Sequence, residues 1–253
     1  MNSRKHEARV AGVLYLLLAI TSTIGLTIPS GFIVRGDATA TAEKIASSQL
    51  SYRLCVVSDL AAQILFVFLA LALYQLFKEV NRRLAVLMVA LVLVQVSMAF
   101  ASMLCGIAPL VLPNGAAHWS AFDKHQLDAL TMGCLAMRSY SIDAVTALWG
   151  LWLLPFGLLV FRSGFIPRIF GVFLIIAGFA DLAISVTALL FPAYASTVQK
   201  LRVLGVGELM IILWLLIKGA RSESLDGASG QTKVTAKITG SASVVCGRSA
   251  VEW

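Results

Sequence analysis

Apolar runs of about twenty residues recur along this chain, each closed by a short cluster of charges, prolines or glycines. An uncharged apolar run of about 18 residues or more has the length of a membrane-crossing helix. The breaks predict six such helices, at Ala8–Ile28, Leu54–Phe77, Leu84–Leu112, Ser139–Phe161, Ile169–Phe191 and Gln199–Ile217. A membrane β-barrel would show segments of about ten residues with alternating polarity, and none are present. The first run exceeds the apolar core of about 7–15 residues found in secretory signals, so it reads as a span.

Composition sharpens this picture. Hydrophobic residues make up 59% and charged residues 13%, with a mean hydropathy of +0.88. Soluble domains carry about 25% charged residues, so this chain is short of a water-facing surface. The fold class expected is an all-α polytopic helical membrane bundle. The net charge of +7 lies in small groups at the ends of apolar runs, which points to topology and anionic lipid headgroups rather than nucleic acid. Ten lysines and arginines fall on one side, including those of the tight hairpins KEVNRR and RSGFIPR, against six on the other. Both termini are therefore expected in the cytoplasm.

On this reading residues 1–221 form the membrane domain and residues 222–253, rich in Ser, Gly, Thr and Lys, form a disordered polar tail. The connections at about 29–53 and 113–138 face outward. The first holds TAEKIASSQL, suited to a short amphipathic surface helix. The second holds His118, Trp119, Phe122 and His125, with aromatics suited to the membrane interface.

Ionisable groups at membrane depth are expensive and tend to turn inward. Counting about 1.5 Å per residue from the cytoplasmic bases, Asp59, Arg138 and Asp143 form an outer polar layer, with Gln63 one turn below Asp59. Asp181, Glu208 and Gln95 fall deeper, near the midplane. Two acids at one depth on successive helices can share a proton. Glu208 is expected to face the interior, protonated or bonded to a polar group on a neighbouring helix. Stripes of small and polar residues, Asp143–Ala147–Gly150–Leu154–Gly157 and Gln95–Ala99–Ser102–Gly106–Pro109, match helix packing faces in lipid. Cys55, Cys105, Cys134 and Cys246 lack zinc spacing, and no metal or cofactor is expected. No GxSxG, HExxH, P-loop or GxGxxG sits in a suitable setting, so catalysis has no positive support.

The segments ARVAGVLYLLLAI, LALYQLFKEVNRRLAVL, LWLLPFGLLVFRSGFIPRIFGVFLIIAGFADL and GELMIILWLLIKG resemble the bacterial family called domain of unknown function 4386, over about residues 8–219. The resemblance implies a six-helix integral protein of the cytoplasmic membrane and no established activity. Positions matching the family pattern are Arg162, Ser163, Gly164, Pro167 and Arg168 in the second hairpin, and Glu208.

Three functional readings remain open. The first is a non-catalytic membrane component that works with a membrane-protein partner or as a homo-oligomer. The second is a small proton-coupled permease using Asp181 and Glu208. The third is an intramembrane enzyme acting on a lipid or quinone through Asp59, Arg138 and Asp143, where Arg138 could hold a phosphate headgroup.

Overall fold

The computed structural model describes residues 2–112 and 119–217, and all regular elements among them are helical. They are α1 (Asn2–Ser30), α2 (Ala38–Ser47), α3 (Gln49–Phe77), α4 (Arg82–Val111), α5 (Lys124–Ser163) and α6 (Arg168–Leu190). A 3-10 turn at Pro192–Tyr194, the single turn α7 (Ala195–Val198) and a 3-10 stretch at Gln199–Gly205 lead into α8 (Val206–Ile217). Five helices (α1, α3, α4, α5 and α6) are long and apolar enough to cross a membrane. Their outer faces carry bare large side chains, such as Phe68, Leu93, Val172 and Phe179. Such a surface would be an aggregation hazard in water and is the normal contact with acyl chains.

Two of the expected spans are corrected. The fifth helix begins at Lys124 rather than Ser139, so much of the expected 113–138 connection is helix. The cause is a capping box: Asp123 accepts from the Gln126 amide at 2.8 Å, and the Gln126 side chain accepts from the Asp123 amide at 3.0 Å. At 40 residues, α5 is about 60 Å long, twice the thickness of a hydrocarbon core. The last expected span, Gln199–Ile217, is not one helix: it is 3-10 up to Gly205 and α-helical for the 12 residues that follow. Those 12 residues reach only about 18 Å. His118 and the tail at 222–253 lie outside the described residues.

The two short hairpins are built by local chemistry. Asn81 caps α4 by accepting from the Leu84 amide at 3.1 Å. In RSGFIPR, Gly164 ends α5 with a φ of 71°, a left-handed turn that suits glycine. Phe165 then stacks on Phe77 with ring centroids 5.6 Å apart, Ile166 is buried, and Pro167 immediately precedes α6. Arg168 lies over the Phe161 ring at 5.7 Å. The Arg162–Arg168 motif thus shapes a turn.

The five long helices and α8 close into a ring, packing in the order α1, α3, α4, α5, α6 and α8, with α8 returning to α1. The tightest seam is α5 on α6. There Gly150 faces Gly178 so closely that a Cβ on Gly150 would lie 2.5 Å from the Gly178 carbonyl oxygen. The segment predicted as a surface helix, α2, is capped by Asp37, whose carboxylate accepts from the Ala40 amide at 2.8 Å. It docks on the extension of α5, burying Ile45 with Tyr52 and Leu135.

Candidate functional site

Inside the ring lies a chamber of about 280 Å³, lined from α1, α3, α4, α5, α6 and α8. Asp181 of α6 and Glu208 of α8 both line it, as do Gln63 of α3 and Gln95 of α4. Its walls include Phe66, Trp149 and Trp152. A second chamber of about 240 Å³ shares Leu26 and Trp149 with the first and extends toward Ser30 and Ile33. It is lined by Arg138, Asp143 and Arg202. The second chamber lies nearer the end of the bundle opposite the short hairpins, and the first lies nearer its middle.

The acids are held in different ways. Glu208 sits in the first turn of α8, where the helix dipole favours negative charge. Its Oε2 accepts from the Tyr15 hydroxyl of α1 at 2.5 Å, so Tyr15, not Asp181, supplies its hydrogen bond. Just before it, the 3-10 backbone ends at Gly205, which itself lines the chamber. Irregular backbone at membrane depth is tolerated where it lines a cavity.

Asp59, Arg138 and Gln63 also meet, but without the Asp143 side chain. Arg138 Nη2 donates to Asp59 Oδ2 at 2.6 Å in a pair whose side chains are both about a tenth exposed. Gln63 Nε2 donates to Asp59 Oδ1 at 3.3 Å, and Gln95 Nε2 donates to Gln63 Oε1 at 3.4 Å. Gln95 Oε1 ends this relay without a partner among the described residues, on a side chain that is fully buried. Gly106 makes room for the Arg138 guanidinium: a Cβ there would lie 2.8 Å from Arg138 Nε. Asp143 instead accepts from Ser185 Oγ through its backbone carbonyl at 2.6 Å, while the residue lines the outer chamber.

From the wall of the deep chamber a run of aromatic ring contacts leads toward the short hairpins. Phe66 meets Trp152 edge-on at 5.0 Å, Trp152 stacks on Phe156 at 5.3 Å, and Phe156 meets Phe77 edge-on at 5.9 Å. Sequence reasoning missed Tyr15, Trp149, Trp152 and Arg202 as members of these chambers. An aromatic residue inside an apolar run carries no mark of its own, and only the repeated depth of several aromatics near the acids could have hinted at it. Cys55, Cys105 and Cys134 are free thiols.

Tyr15→Phe removes the donor to a carboxylate, a bond typically worth about 1.5–3 kcal/mol. The variant is expected to melt earlier in detergent than the parent. In a Glu208→Leu background the same change should matter much less, and equal losses in both backgrounds would show that the bond is not what stabilises the protein.

These features define a class: a helical bundle with membrane-length apolar helices and a polar chamber inside. Within it, the profile of the family described as "Domain of unknown function (DUF4386)" matches residues 10–219, and the chain belongs to that family. No curated protein and no solved structure matches the chain.

Proposed function

We propose that this protein resides in the cytoplasmic membrane of a bacterium and acts as a small permease-like carrier, with Asp181 and Glu208 handling protons. One observation carries the reading: both acids line a single chamber large enough for a small molecule. Acids at membrane depth that reach a cavity rather than a sealed contact are the usual equipment of proton-linked transport. The interrupted helix at Gly205 adds support, since discontinuous helices commonly build transporter sites. The excess of Lys and Arg around the hairpins favours both termini inside, with α8 completing the sixth crossing. In that orientation the second chamber lies nearer the outside and the run of aromatic rings leads toward the cytoplasmic side.

A membrane accessory role is the second reading. It is favoured by the largely buried Arg138–Asp59 pair, which has the geometry of a structural tie. A partner protein or a second copy would then be required for function. A lipid- or quinone-directed enzyme finds less support, because the guanidinium that would hold a headgroup is already engaged by Asp59.

Reconstitution into liposomes holding a pH-sensitive dye tests the carrier reading. Addition of a transported solute is expected to move protons, and the double variant Asp181→Asn, Glu208→Gln should fall to the rate of protein-free liposomes. An unchanged rate in the double variant removes these two acids from the mechanism.

A further inference from the structure

We propose that the deep chamber takes an organic cation: a protonated amine carried on a compact, aromatic or branched apolar body. The proposal rests on the reading of this chamber as a ligand site and names its ligand class.

Charge comes first. Among the described residues, the formal charges on the lining are the carboxylates Asp181 and Glu208, and no Lys, Arg or His joins them. The attraction of Arg202 reaches Asp181, but Arg202 lines the outer chamber. Arg138 is matched by Asp59. An anion entering the deep chamber would meet two acids with no base on the wall, whereas a cation would meet its complement.

The second observation is the orientation of the Gln95 amide, which the relay fixes. A carboxylate paired with a guanidinium can only accept, so Asp59 requires the NH2 group of Gln63. That turns the Gln63 carbonyl toward Gln95, which must answer with its own NH2 group. The Gln95 carbonyl oxygen is thereby left over, fully buried and without a donor among the described residues, on a residue that lines the chamber. A buried acceptor in this state lacks a hydrogen bond that an ammonium N–H can supply. Gln95 thus brings an unanswered acceptor to the lining of the chamber, beside the two carboxylates.

The walls select the rest of the ligand. Phe66, Trp149 and Trp152 offer ring faces and edges, suited both to an apolar body and to a cation held over a ring. A bare metal ion would want a tight shell of oxygens, which a chamber of about 280 Å³ with aromatic walls does not provide. The volume is near the lower end for small-molecule pockets, which points to a ligand of one or two rings.

The test uses the full-length chain in detergent near neutral pH, with calorimetry and tryptophan fluorescence as readouts. Three ligands share one ring and differ in the head: phenethylammonium, 2-phenylethanol and phenylacetate. Phenethylammonium is expected to bind about tenfold or more tighter than either of the others, the scale of one hydrogen bond to a charged group. Asp181→Asn and Gln95→Leu should each weaken the ammonium by about tenfold and leave 2-phenylethanol unchanged. If Gln95→Leu does not fold, Gln95→Glu decides instead: a carboxylate in that place should tighten the ammonium. Absence of saturable ammonium binding, equal binding of phenylacetate, or affinity indifferent to Asp181 and Gln95 each overturns the proposal. Binding of the ammonium without any flux in liposomes keeps the ligand class and removes the carrier reading. Flux of a neutral or acidic solute that needs Asp181 and Glu208 does the reverse.

Discussion

Arg138→Met is expected to be the most damaging single change in the helical bundle. The guanidinium contacts Asp59 at 2.6 Å and both side chains are largely shielded. Forming such a pair contributes little net stability, because two charges lose their hydration. Removing one partner is different, since it strands the other charge, and the loss is about 3–5 kcal/mol. For a domain of this size that corresponds to a melting shift on the order of 10 °C in a mild detergent. The double variant Arg138→Met, Asp59→Leu should regain most of the loss, because no charge is then left alone. If Arg138→Met melts like the parent, the pair is not the tie described here. The single variant has a further consequence: Asp59 would have to take up a proton, could then donate to Gln63, and would free the relay to reverse.

Gly150→Leu is expected to come next. A Cβ at this position falls 2.5 Å from the Gly178 carbonyl oxygen and 3.0 Å from the Leu182 amide nitrogen. The obstacle is backbone, which cannot swing aside as a side-chain end can. Overpacking of this kind destabilises by about 1–3 kcal/mol and more where main chain must move. Here α5 and α6 would have to separate, and small-residue contacts are what hold helices together in lipid. Gly133, with open space around its would-be Cβ, is the matched control: Gly133→Leu should leave the stability in detergent within about 0.5 kcal/mol of the parent. Equal effects at both glycines would mean that the close seam does not govern stability.

The long helices were readable because lipid imposes a simple rule of length and polarity. The hairpin at Gly164 shows this well, with α5 ending at Ser163 and α6 starting at Arg168 around the bases that mark the break. The start of α5 was hidden for the same reason, as its first turns are mixed in polarity and leave no apolar run. The signal lay instead in Asp123 and Gln126, a capping pair three residues apart. The 3-10 stretch before α8 was also invisible, since hydropathy is blind to backbone twist. At the site, the acids stood out as rare charges in apolar runs, yet their neighbours did not. Tyr15 is separated from Glu208 by 193 positions, and only the closing of the ring brings them together. Gln95 was legible as a polar residue at depth, whereas its unanswered carbonyl depends on three successive hydrogen bonds.

The pile of rings from Phe66 to Phe156 continues through Phe77 to Phe165, so the wall of the deep chamber and the RSGFIPR turn are joined by touching side chains. No ion pair takes part in that column. Whatever loosens it must do so by geometry or heat, and adding salt will leave it as firm as before.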